Sequence, residues 1–161
     1  MTDVSPAVTI GHPPQALLRT VNPILRFALR TPLVGPLRRR FMVLNFTGRK
    51  TGRKFSIPVS AHRIDGELYA IANAGWKHNF RDGAEAQVVY DGKTTPMRGE
   101  LITDPASVGE LAHRGAQSYG VKRAQTMMGL KFREPRMPTV EEFTEAAARE
   151  KIAAIRFTPS G

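Results

Sequence analysis

The stretch Phe46-Thr47-Gly48-Arg49-Lys50-Thr51-Gly52-Arg53-Lys54 places a turn, punctuated by two glycines and carrying four cations, between two segments that read as β-strands. Gly48 and Gly52 are expected to take positive-φ conformations, which glycine adopts without strain, and so to aim backbone N–H groups into one concavity. Arg49, Lys50, Arg53 and Lys54 would then ring that concavity with charge. Such a turn suits phosphate or carboxylate groups. The same residues also describe a hairpin turn whose cations are simply solvated, and turn chemistry alone does not choose between the two.

Outward from this turn the chain continues in β patterns. Candidate strands cover residues 41–47, 54–62, 67–73, 86–91 and 95–103, with a last one at 153–158. Asp65-Gly66 and Asp91-Gly92 predict two tight antiparallel hairpins. Asp104-Pro105 reads as a helix start, with the aspartate as cap and proline at the first helical position. Thr139-Val140-Glu141-Glu142 has the spacing of a capping box ahead of Phe143, Ala146 and Ala147. The expected fold is α+β: a small antiparallel barrel or sheet of five to six strands with flanking helices, in one domain spanning residues 1–161.

Charge is concentrated at the front of the chain. Residues 1–60 hold ten Lys/Arg against Asp3 alone, or +9 of the total of +10. Residues 1–14, with Pro6, Pro13 and Pro14, are expected to be a flexible arm. Residues 15–30 carry Leu17, Leu18, Val21, Ile24, Leu25 and Phe27 on one face and Arg19, Arg26 and Arg30 on the other, the pattern of a basic amphipathic helix interrupted at Pro23. A helix of this kind suits the surface of an anionic membrane. Cysteine is absent, which excludes disulfides and thiolate metal sites. The four histidines, His12, His62, His78 and His113, lack the spacing of a helical metal site, so no metal is expected. There is no apolar run long enough to span a bilayer and no signal-peptide pattern, so the expectation is a cytoplasmic protein, with peripheral contact to the inner membrane face through residues 15–30.

A second constellation follows the third strand: Asn73-Ala74-Gly75-Trp76-Lys77-His78-Asn79-Phe80. At helical spacing Trp76 and Phe80 share one face, leaving Lys77 and Asn79 to present an amide and a cation to a cleft. A packing helix with a polar outer face accounts for the same pattern.

Taken in order, Thr47-Gly48-Arg49-Lys50-Thr51-Gly52, then Pro58, then Trp76-x-x-Asn79-Phe80, resembles the deazaflavin-dependent nitroreductase family over roughly residues 16–104. The resemblance implies a split β-barrel with an N-terminal helix that binds coenzyme F420, a deazaflavin bearing a phosphate and an oligoglutamate tail. It further implies that Arg49, Lys50, Thr51 and Gly52, with Arg53 and Lys54, hold the anionic groups, that Trp76 and Asn79 line the cleft, and that Asn73 lies near the ring. Family members have a longer loop before the tryptophan, with an added lysine; Lys77 would restore that cation from a different backbone position. FMN or haem are the alternative cofactors, since split barrels host several.

On this reading the protein is an F420-dependent reductase that passes hydride to a small-molecule acceptor: a quinone, nitroaromatic or enone. The cofactor carries the redox chemistry, so no nucleophile or acid–base pair is required. Tyr119, after the helix at 106–117, would donate a proton or hydrogen bond to the acceptor, and Met127-Met128 would form an adaptable wall; core filler and a surface tyrosine explain these residues equally well. The alternative function is a membrane-surface, lipid-binding, flavin-binding or haem-binding split barrel without F420 reductase activity. No nucleic-acid reader motif occurs. Besides the small-molecule acceptor, the partners left open are a membrane surface and a second copy of the chain in a homodimer.

Overall fold

The structure is a computed structural model, and residues 6–10 and 41–160 are described. Contacts divide the described residues into two compact units, each discontinuous in sequence: residues 6–10, 71–74 and 102–154 belong to one, and residues 41–70, 75–101 and 155–160 to the other. The class is mixed α+β, as expected.

The second unit is built on a curled sheet. Its strands are β2 (Phe41–Thr47), β3 (Lys54–Ser60), β4 (His62–Ile64), β5 (Glu67–Ala72), β6 (Ala84–Tyr90), β7 (Lys93–Ile102) and β9 (Ala153–Pro159). They are ordered β3-β2-β6-β7-β9-β5-β4. Seven strands replace the expected five to six because the single strand read at 54–62 is broken at Ala61. That break dictates the curvature. β3 and β4 stand at opposite ends of the strand order, which in a flat sheet are about 29 Å apart at the usual strand spacing. Ala61 alone connects them, and two residues of chain reach only about 7 Å. The sheet therefore bends round until its first and last strands come together at that corner.

Alternation puts one face of this sheet inside. Met42, Leu44 and Phe46 of β2, Leu68 and Ala70 of β5, Ala86 and Val88 of β6, and Ile155 and Phe157 of β9 form one core with Phe80. Gly99 is small for a reason: a Cβ there would lie 2.6 Å from Phe80 Cδ1 and 2.8 Å from Phe157 Cε1. The two Asp-Gly turns behave as read. Asp65 and Gly66 (φ 53° and 80°) and Asp91 and Gly92 (φ 50° and 76°) have the paired positive φ of type I′ turns, and β4–β5 and β6–β7 are antiparallel.

Register fixes which end of the sheet each loop occupies. Met42 pairs with Tyr90 and Asn45 with Gln87, so the turn after β2 leaves at the end opposite Asp91-Gly92. The 3₁₀ helix Gly75–Phe80 is the expected short helix.

The first unit is helical. Its elements are β1 (Val8–Ile10), α1 (Pro105–Tyr119), α2 (Val121–Met128), β8 (Leu130–Phe132) and α3 (Val140–Glu150). Asp104 caps α1 by accepting from the Ser107 N–H at 3.1 Å, and Thr139 and Glu142 form the full capping box of α3. Gly109 packs against Thr144, where a Cβ would meet the Thr144 backbone nitrogen and Cα at 2.7 Å. The flexible-arm reading of residues 1–14 is corrected in part: Val8–Ile10 pair antiparallel with Leu130–Phe132, and Val8 is buried in the helical core. The basic amphipathic helix read at residues 15–30 lies outside the described residues. Among the described residues no helix is long and apolar enough to cross a membrane.

Candidate functional site

The site is a cleft of about 890 Å³ between the β2–β3 turn and the 3₁₀ helix. Local backbone chemistry shapes the turn. The Gly48 N–H donates to the Arg53 carbonyl at 2.7 Å and the Gly52 N–H to the Gly48 carbonyl at 3.1 Å. Thr51 Oγ1 accepts from the Arg53 N–H at 3.3 Å. Gly52 takes the expected positive φ, 69°. Gly48 does not; it is glycine because a Cβ would stand 2.7 Å from Phe55 Cε2.

These bonds correct the expected concavity of amide donors. The N–H groups of Gly48, Arg49, Gly52 and Arg53 all point to acceptors within the protein, and the Arg49 N–H goes to Asn79 Oδ1 at 3.0 Å. Those four donors are therefore occupied, and the charge that faces an anion is carried by side chains. Arg49, Lys50, Arg53 and Arg81 line the cleft, and among the described residues no carboxylate does. Arg49 is oriented by a 3.2 Å hydrogen bond from Nη2 to the Gly83 carbonyl, which leaves its other guanidinium donors available. Arg53 lies with Cζ 5.8 Å over the Phe55 ring, a cation–π arrangement.

The cleft floor is aromatic. Phe55 stacks on Phe46 with centroids 5.2 Å apart, and Trp76 meets Phe46 and Phe80 at 6.2 Å each. Phe46 and Phe80 belong to the sheet core, so the half-buried Trp76 ring rests on a rigid foundation. The 3₁₀ helix is joined to the turn by Asn79, whose Nδ2 donates to the Trp76 carbonyl at 2.9 Å while Oδ1 receives the Arg49 N–H.

Of the residues singled out from sequence, Arg49, Lys50, Thr51, Arg53, Trp76 and Asn79 are brought together here. Gly52 shapes the turn, and Lys54 is the first residue of β3, paired with Thr47; neither lines the cleft. Three are elsewhere. Lys77 is turned inward, only 6 % exposed, because the tight 3₁₀ winding puts it on the buried side beside Phe80. Asn73 lines a separate apolar cavity of the helical unit. Tyr119, at the end of α1, packs on the helical core with Met128. The cleft also contains residues that sequence reasoning did not place there: Phe55, Arg81 and the exposed His78, whose Nδ1 lies 3.4 Å from Arg81 Nη2. The i,i+3 spacing of His78 and Arg81, just after Trp76, was the available signal.

Fold and site together define an α+β protein with a cationic, aromatic-floored cleft at one end of a curled sheet. No protein-family model and no curated protein matches the chain. Among solved structures it is similar to the conserved hypothetical protein Rv2991 from Mycobacterium tuberculosis, at 12 % identity and a TM-score of 0.45, over 86 % of this chain and 79 % of that one. A likeness at that level assigns neither family nor activity.

Proposed function

We propose that this chain is a split-β-barrel oxidoreductase that holds reduced coenzyme F420 and reduces a quinone, nitroaromatic or enone acceptor. The observation that carries this reading is the lining of the cleft: four cations and two aromatic rings with no carboxylate among the described residues. That donor set fits a long anionic tail attached to a flat ring system. Arg49, Lys50, Arg53 and Arg81 are the residues that would hold the tail, each charge-assisted hydrogen bond contributing about 1.5–3 kcal/mol before salt screening. Trp76 and Phe55 offer stacking surface.

When bound, the deazaflavin supplies the hydride, two electrons and one hydrogen nucleus, while a proton from solvent completes reduction of the acceptor. The chain's own task is to bind and to orient. Arg49 is aimed by Gly83 and by Asn79, Arg53 by Phe55, and preset donors lose little entropy on meeting an anion.

Parallel titrations with F420, FMN and haem, read by quenching of the only tryptophan, test the proposal, followed by turnover of reduced F420 against a panel of acceptors. Binding of F420 with turnover supports it. Failure of F420 to bind while FMN or haem does would replace it with a different cofactor, and binding of none would remove the oxidoreductase reading.

A further inference from the structure

We infer that Asn79 is a positioning residue, a clasp that sets the cationic turn over Trp76, and that it acts on ligand affinity through Arg49 rather than by touching the ligand. The inference rests on the cleft proposed above as the binding site. Its basis is that both halves of the Asn79 amide are committed to backbone groups on the two walls of the cleft: Oδ1 to the Arg49 N–H at 3.0 Å, Nδ2 to the Trp76 carbonyl at 2.9 Å.

The turn needs such a tie. Its internal bonds close it on itself, Gly48 to Arg53 and Gly52 to Gly48, without fixing it against the helix. Arg49, Lys50, Thr51 and Arg53 are exposed, so packing contributes little. The Arg49 side chain is held separately, at the Gly83 carbonyl, which makes Arg49 the point where backbone and side-chain tethers converge. Asparagine suits the task because one short side chain carries both an acceptor and donors. An aspartate would lose the donor to Trp76 and add negative charge to an anion cleft.

The test begins without any ligand. Four trypsin sites, after Arg49, Lys50, Arg53 and Lys54, lie in or beside the turn. In Asn79→Ala, cleavage at these sites should rise about tenfold, matching loss of about 1.4 kcal/mol of local hydrogen bonding, while cleavage after Lys122 in α2 stays at the native rate. Unchanged cleavage in the turn, or an equal rise at Lys122, overturns the clasp. The second arm is a double-mutant cycle on inorganic pyrophosphate binding, read by Trp76 fluorescence. Asn79→Ala should weaken binding in the native background and cost clearly less in the Arg49→Ala background, where only the other cations of the turn remain to be positioned. Additive losses would mean that Asn79 touches the anion directly, and they refute the inference. If pyrophosphate fails to bind the native protein, the binding reading of the cleft is what suffers, and the cleavage arm alone decides the clasp.

Discussion

Acidification should weaken this fold through one buried ring. His62 lies in β4, inward-facing between exposed Arg63 and the corner at Ala61, with 1 % of its surface accessible. Burial pushes its pKa down from 6.5 to about 4, because the charged imidazolium would have to shed its water. The folded state thus holds His62 neutral across a range in which the unfolded chain takes up a proton. The stabilising contribution is complete above about pH 6.5 and is lost as pH falls toward 4, since the unfolded state binds more protons there. At 1.36 kcal/mol per pH unit, the gap between 6.5 and about 4 is worth about 3 kcal/mol, a large share of the stability of a domain this size. Urea unfolding followed by Trp76 fluorescence between about pH 7.5 and 4.5 measures it. His62→Gln, which cannot titrate, should flatten most of this slope. Glu142 and Glu145 have pKa values held below the ordinary carboxylate range, chiefly by hydrogen bonds from Arg136 and Arg149, so their contribution is lost at lower pH, as it falls below 4.5. Equal slopes in the native protein and in His62→Gln above pH 5 would refute the assignment.

Other outcomes follow from the packing and from the cleft. Gly109→Ala drives a methyl into the Thr144 backbone and should cost about 1–3 kcal/mol, visible as a melting temperature lowered by several degrees. Arg49→Ala and Lys50→Ala should each weaken F420 binding about tenfold and leave the melt within a degree or two, because both side chains are exposed. A cofactor affinity unchanged in the double variant would remove these cations from the site. Trp76→Ala should lower both affinity and stability, the latter by about 2–3 kcal/mol, since its ring packs on Phe46 and Phe80. F420 affinity should also fall several-fold as salt rises from about 0.05 to 0.5 M, because the exposed cations are screened within a few ångströms at the higher value; salt-independent binding would argue against the electrostatic basis of the cleft.

Much of the local structure was legible because its causes are local. Strand β2 spans the residues read for it, Asp65-Gly66 and Asp91-Gly92 form the expected turns, and Asp104 and Thr139 cap their helices, since each signal lies within four residues of its effect. The missed elements have distant partners. β1 and β8 are three residues each and pair across more than a hundred residues, so neither shows a pattern of its own. The break at Ala61 was invisible for a related reason: it is where the curled sheet turns from one edge strand to the other, a demand of closure and not of residues 54–64 themselves.

The site divides the same way. Sequence alone determined that a basic glycine turn would join two strands and that a tryptophan helix would follow the third, because backbone conformation and alternation are short-range properties. Only the tertiary structure decided which of those side chains share a cleft. Strand register carried the turn and the helix to the same end of the sheet, 3₁₀ winding sent Lys77 inward, and Asn73 and Tyr119 were assigned to the helical unit. The physical reason is that a residue's type sets the chemistry it carries, whereas long-range pairing and packing set its neighbours, and a binding site is defined by neighbours.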